Sequence, residues 1–282
     1  MSIQDSIAPL RRVYVRAPVD ADLLAWKSFG WRSEPDPARA ADEHAAFRAE
    51  IERAGAEVVI GSAPVASDPD AIYPYDPVVM TDAGVILLRP GKESRRFEPE
   101  AVLQDLAAAG VPVAGRIESP GTAEGGDLFW LDRSTLLAGR GYRTNDGGIA
   151  QLRTLLGPAV NMITFDLPHF RGAGECLHLM SFVSPLDTDL AVAYLPMMPV
   201  RLLELLRDRG VRVVEVPHAE FESMGPNVLA LGPRIALALD GNPETRRLLD
   251  AAGVDVRTYT GTEISRKGEG GPTCLTRPLE RG

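Results

Sequence analysis

Apolar and polar positions alternate with a period of two in four stretches, Val78–Pro90, Asp127–Gly139, Ser181–Leu195 and Asn227–Asp240. Each is broken midway by turn formers, near Asp82, Asp132, Asp187 and Gly232, which is the pattern of a β-hairpin. These turns are 50, 55 and 45 residues apart, a period that points to a propeller or solenoid. Between the hairpins the apolar period changes to three and four residues, predicting helices over Ala41–Ala54, Glu98–Ala109, Asp146–Leu156, Met198–Arg209 and Pro243–Ala252. In the second helix Val102, Leu103 and Leu106 share one face before Gly110 ends it. A short strand follows nearly every helix: Glu57–Ile60, Val111–Ala114, Val160–Phe165, Val211–Val216 and Asp255–Tyr259.

The repeating unit is thus helix, strand, hairpin. Four units are complete, and the two ends of the chain supply a fifth if Arg12–Arg16 pairs beside Cys274–Leu279. The expected fold is α/β, a fivefold pseudosymmetric propeller forming one unit over residues 1–282, with a mixed sheet as the plainer alternative. In a closed ring, equivalent positions of different units converge on one central mouth.

Composition narrows the class of molecule. Of 282 residues, 45% are hydrophobic and 24% charged, as in an ordinary soluble globular protein, and no apolar run reaches the ~18 residues a membrane span requires. The N-terminus has no apolar stretch behind a basic start, so a cytoplasmic location is expected. Two cysteines are too few for a disulfide framework. A net charge of −9 argues against general nucleic-acid binding.

Candidate chemistry lies at the hairpin entries. Cys274 follows Gly270-Gly271-Pro272, and glycines permit close approach of backbone to a ligand. A thiol needs a neighbouring base to become a nucleophile at neutral pH. If Cys176–Ser181 is extended, Cys176, His178 and Met180 share a face, and His178 points to a pocket. His169 and His218 are rival bases. Taken singly, a cysteine such as Cys274 is more often a small buried hydrophobe than a nucleophile, and a strand histidine such as His178 more often a satisfied core or surface residue. A lone Cys176-x-His178 pair is an insufficient ligand set for a metal. Glu124 and Asp76 stand at equivalent places before successive hairpins, where opposed carboxylates suit a planar guanidinium. Arg89, Lys92, Arg95 and Arg96 follow one hairpin and Arg140 and Arg143 the next, which in a ring brings cations to one rim for a substrate carboxylate.

Six pieces in this order, Asp70-x5-Asp76, RPGKESRR (Arg89–Arg96), TAEGGD (Thr122–Asp127), GYRTNDGG (Gly141–Gly148), LHLMSF (Leu177–Phe182) and GGPTCL (Gly270–Leu275), resemble the dimethylarginine dimethylaminohydrolases. That family belongs to the guanidine-modifying pentein superfamily, with the arginine deiminases and amidinotransferases. The resemblance implies a fivefold α/β propeller, no metal or organic cofactor, and a small guanidino amino acid as partner, with self-association left open. It implies that Cys274 attacks the guanidinium carbon, that His178 protonates the departing amine and then activates water, and that Glu124 and Asp76 hold the guanidinium. Arg95 and Arg143 would take the α-carboxylate and Asp70 the α-amino group, giving citrulline and an alkylamine. Trp26–Pro37 occupies the place of a mobile lid, where Trp31 and Phe29 either close over the site or pack on its rim.

Two positions depart from the family. The chain has Met180 where deiminases carry the acid of His-x-Asp and dimethylarginine enzymes typically carry Lys, and Tyr75 where an acid often precedes the aspartate. These departures leave arginine, citrulline or another guanidine or ureido compound as alternative substrates. A non-catalytic binding protein of the same fold is the alternative from another class.

Overall fold

The computed structural model describes residues 3–282. Its strands run in chain order as β1 (Leu10–Arg16), β2 (Glu57–Gly61), β3 (Val78–Thr81), β4 (Gly84–Leu87), β5 (Val113–Arg116), β6 (Leu128–Asp132), β7 (Thr135–Arg140) and β8 (Asn161–Asp166). They continue as β9 (Val183–Asp187), β10 (Leu190–Ala193), β11 (Arg212–Glu215), β12 (Val228–Gly232), β13 (Ile235–Leu239), β14 (Asp255–Tyr259) and β15 (Arg277–Arg281). They form five three-stranded sheets, β3-β4-β5, β6-β7-β8, β9-β10-β11, β12-β13-β14 and β15-β1-β2. In each, an antiparallel pair is extended by a parallel third strand. Parallel neighbours need a crossover, and one helix supplies it in every sheet: Pro37–Arg53, Glu98–Ala108, Asp146–Leu156, Val200–Asp208 and Pro243–Ala251.

The expected fivefold α/β propeller is therefore the fold, with its units grouped differently. The strand after each helix returns to the preceding hairpin, so a sheet is built in the order hairpin, helix, strand. The fifth sheet closes through the chain ends, as β15 pairs antiparallel with β1 from Leu10↔Arg281 to Tyr14↔Arg277. Its C-terminal strand begins at Arg277, three residues later than Cys274. Pro272 has no N–H to give a ladder, and residues 272–275 turn instead, with Leu275 N donating to Gly271 O and Thr276 N to Thr273 O. Cys274 consequently lies on a turn at the mouth of the strand.

Burial explains the short apolar runs. β3 and β4 are buried at every position, and Leu136, Leu137 and Ala138 of β7 are fully enclosed, because sheet faces meet neighbouring sheets on one side and helices on the other. Helix starts follow from capping chemistry. Asp36 accepts from Arg39 N ahead of Pro37, which moves the first helix start four residues before the expected Ala41, and Asn145 accepts from Gly148 N. No helix among the described residues is long and apolar enough to cross a membrane.

Closure by β15 yields a direct expectation. Deleting residues 277–282 unpairs β1 and opens the ring, removing more than about 5 kcal/mol, the stability of an ordinary small domain. A thermal melt followed by circular dichroism should then show no cooperative transition; a transition like that of the full chain would mean closure is dispensable.

Candidate functional site

The loops that enter four of the inner strands meet at one mouth of the propeller: Asp76 before β3, His178 before β9, Asn227 before β12 and Cys274 before β15. All four line a cavity of about 170 Å³, and Lys92, Arg95 and Arg143 add cations to its wall. Glu124, before β6, is completely buried directly beneath. Its Oε2 lies 2.6 Å from His178 Nε2.

The histidine is held at both ends of its loop. His178 is extended, but Leu179–Ser181 turns as a 3-10 helix, because Ser181 Oγ accepts from His178 N at 2.9 Å and Asp127 Oδ1 accepts from Leu179 N at 3.0 Å. The extended reading of Cys176–Ser181 thus fails after His178, and Met180 leaves the face that His178 occupies. Gly126 is required where it stands, since a Cβ there would overlap the imidazole Nδ1. On the Nδ1 side lie Cys176 Sγ at 3.8 Å and Asp76 Oδ1 at 3.9 Å.

Asp76 is fixed by ion pairing. Its Oδ2 is 2.6 Å from Arg95, its Oδ1 accepts from Gly126 N at 2.9 Å, and Arg95 also grips Glu98 through Nε and NH2 at 2.5 and 2.8 Å. Arg95 also donates to Tyr73 O and is 3% exposed, so its fork is largely spent on the protein rather than open to a substrate carboxylate. Arg143 is less committed, reaching Glu124 at 3.4 Å. Asp70 is engaged too: Trp31 Nε1 donates to Oδ1 at 2.8 Å and Lys92 Nζ to Oδ2 at 2.6 Å. Within Trp26–Pro37, the residues Phe29, Gly30, Trp31 and Arg32 face the cavity.

Several expected members lie elsewhere. Arg140 points outward to Asp146 and Asp166, Arg89 donates to Gly121 O, and Arg96 pairs with Glu93. His169 and His218 hydrogen-bond Tyr142 and Tyr194, away from the cavity. Tyr75 and Met180 do not line it either; both face a second cavity farther along the axis, so neither shapes the room for a head group beside Cys274. Asn227 escaped the sequence reading. Its Nδ2 donates to Cys274 Sγ at 3.4 Å and its Oδ1 accepts from Thr273 N at 3.2 Å. Its place at the start of the fourth hairpin was the available signal.

The electrostatics separate the groups sharply. Burial pushes the Cys274 thiol up to about 11, with Asp76 and Cys176 adding to the shift while the Asn227 hydrogen bond and His178 oppose it. Burial works against a charged His178, yet Cys176, Asp76 and Asp127 outweigh it and hold the imidazolium well above its ordinary range. Burial would raise Glu124 as well, but the His178 hydrogen bond and charge, followed by Arg143 and Arg95, hold it well below the usual carboxylate range. At neutral pH a neutral Cys274 thiol therefore stands at the mouth with a charged His178 and, beneath them, a charged Glu124. Asp76, Glu124 and His178 offer ligand atoms within 4.8 Å of one another, as a metal would need. Arg95 and Gly126 N already engage Asp76, and Lys92 N and His178 engage Glu124, so the group is a satisfied charged hydrogen-bond network.

Residues 17–281 match the family described as N,N dimethylarginine dimethylhydrolase, eukaryotic. The N(G),N(G)-dimethylarginine dimethylaminohydrolase of Streptomyces coelicolor is 32% identical over 213 residues, covering 74% of each chain. That of Pseudomonas aeruginosa is 27% identical over 246 residues, covering 86% of this chain and 89% of its own. The solved structure of a mutant of the Pseudomonas enzyme complexed with citrulline superposes with a TM-score of 0.78 at 25% identity, over 95% of this chain and 98% of that one. The N-terminal domain of an arginine dihydrolase from cyanobacteria, at 19% identity and a TM-score of 0.82 over 96% of this chain and 98% of that one, shares the fold.

Two expectations follow from the geometry. Gly126→Ala should displace the imidazole and remove activity while leaving the circular dichroism spectrum unchanged; an active Gly126→Ala protein would place His178 outside the chemistry. A guanidinium ion bound against Asp76 should favour the thiolate, so its presence should shift the pH midpoint of iodoacetamide alkylation at Cys274 downward. Coincident midpoints with and without guanidinium would refute this.

Proposed function

The chain belongs to the dimethylarginine dimethylaminohydrolase family, and from that premise we propose that it is a cysteine-dependent hydrolase of Nω-substituted arginines, dimethylarginine or monomethylarginine, with Cys274 as nucleophile. It is a hydrolase of the C–N bonds of linear amidines. The observation that supports the cysteine mechanism is the charge arrangement: a thiol kept neutral by burial and by Asp76, facing an imidazolium kept charged by Cys176, Asp76 and Asp127. Such a pair is dormant until a cation arrives. A guanidinium docked between Asp76 and Glu124 would cancel their field at sulfur and let the thiol proton leave.

The thiolate would then add to the guanidinium carbon. His178 passes its proton from nitrogen to the departing amine as the C–N bond breaks, leaving an S-alkylthiouronium on Cys274 and a neutral imidazole. That imidazole next takes a proton from water, the resulting hydroxide adds to the same carbon, and as the C–S bond breaks the added hydroxyl gives its proton to the leaving sulfur, releasing a neutral ureido product and restoring the Cys274 thiol beside a charged His178. Glu124, hydrogen-bonded to the opposite ring nitrogen, orients the ring and favours its charged form. Asn227 donates to sulfur and would stabilise the thiolate once the bound guanidinium has let it form. Arg143 and Lys92 are the cations best placed for the substrate carboxylate, with Arg95 holding Asp76 in position.

Mass-resolved product analysis tests this reading, with Nω,Nω-dimethylarginine, monomethylarginine, arginine and citrulline supplied separately to the wild type and to Cys274→Ser. Citrulline plus dimethylamine or methylamine is expected, lost in the variant, and His178→Ala should lower kcat by about 10²–10⁴-fold. Ammonia from arginine as the sole product would move the assignment to a deiminase, and no turnover of any of the four would overturn it.

A further inference from the structure

A second cavity, of about 40 Å³, lies behind the first along the propeller axis. Every sheet contributes its inner strand to the wall: Met80 of β3, Trp130 of β6, Pro185 of β9, Ala230 of β12, and Arg277 and Arg281 of β15. The wall is therefore mostly apolar, with two guanidinium groups set into it. Both arginines are at least nine-tenths buried. Arg277 stacks 3.6 Å above the Tyr75 ring and donates NH2 to Tyr75 O at 2.6 Å, while its buried Nε has no partner. Arg281 donates to the carbonyls of Ala8 and Ala230 at 2.6 and 2.9 Å.

Neither guanidinium has a carboxylate oxygen within 4.0 Å among the described residues. Asp5 also lines the cavity, but its Oδ1 is taken by the amides of Ile7 and Ala8. Two cations thus have only non-contacting carboxylates nearby, a partly engaged Asp5 for Arg281 and an Asp76 already paired with Arg95 for Arg277, which leaves positive charge without a contact partner in an apolar setting. Buried charges are ordinarily paired, because an isolated one loses its hydration without compensation. Burial pushes Arg281 down to about 10 and lowers Arg277, so both resist the charge they carry, and an arginine does not shed its proton at neutral pH.

We propose that this axial cavity is a binding site for a small monovalent anion, of the size of chloride or nitrate, held by Arg277 and Arg281. Size and lining select the ligand. One water needs about 10–15 Å³ of such space, so the cavity takes about three or four atoms of that size and excludes a phosphate ester or an amino acid. An apolar wall disfavours a strongly hydrated divalent ion such as sulfate, which would surrender more hydration than two guanidinium groups restore. The anion would neutralise the inner strand that closes the ring, which begins three residues beyond Cys274, without touching substrate.

Crystals of the wild-type protein soaked in sodium bromide test this directly. An anomalous peak beside Arg277 Nε in the axial cavity is the expected result, and its absence when surface sites are occupied would overturn the proposal. In solution, melting temperature at fixed ionic strength should rise saturably as bromide replaces gluconate, an anion too large to enter, by a few degrees at most ~100-fold above the dissociation constant. Arg277→Gln should abolish the saturable part; an equal rise in gluconate, or an unchanged rise in Arg277→Gln, would contradict the site. Neither readout involves turnover, so both stand or fall independently of the proposed hydrolase activity.

Discussion

The buried ion cluster centred on Arg95 is the constraint on which the site depends. One guanidinium joins Asp76, Glu98 and the Tyr73 carbonyl, and Asp76 in turn receives the amides of Gly125 and Gly126 through its carbonyl and carboxylate. The approach to β6 is thereby locked to the approach to β3, which sets Glu124 beneath His178. Removing one partner from a buried pair typically costs about 3–5 kcal/mol because the other charge is stranded. Geometry in this mouth is thus maintained by buried charges that hold one another.

That arrangement also accounts for the protonation states. Burial opposes a charged histidine, but Cys176, Asp76 and Asp127 outweigh it and keep it charged, while burial, with Asp76 and Cys176 adding to it, keeps the thiol neutral. On the proposed reading the substrate supplies the missing positive charge, so the nucleophile forms where a guanidinium is already bound. The segment Trp26–Pro37 is tied into the same network: Trp31 and Lys92 each hold an oxygen of Asp70, and Lys92 also donates to Phe29 O. Entry of a substrate ammonium at Asp70 would have to share a carboxylate that Lys92 already neutralises.

Much of the fold was legible because each sheet repeats one physical pattern, a period-two hairpin followed by a period-3.6 helix and a short apolar strand. The convergence of Asp76, Glu124, His178 and Cys274 followed from their equivalent positions at hairpin entries. What the pattern misjudged was local and directional. Period-two reasoning put Met180 beside His178, whereas the Ser181 and Asp127 hydrogen bonds turn the chain and send Met180 to the axial cavity with Tyr75. Charge clustering suggested a shared rim for six basic residues, but long side chains follow their nearest carboxylates, which takes Arg140 outward and Arg95 inward. Asn227 carries no charge and drew no attention, though its position in the repeat matched that of the acids.

The central claim is that Cys274 forms the covalent bond to substrate carbon, and intact-protein mass spectrometry of the wild type, acid-quenched during turnover of dimethylarginine, tests it most directly. The account predicts a mass increase equal to the amidino-substituted amino acid less the departing amine, carried by the peptide that contains Cys274 and absent from Cys274→Ser. An adduct on Cys176 instead, or undiminished turnover by Cys274→Ser, would contradict it.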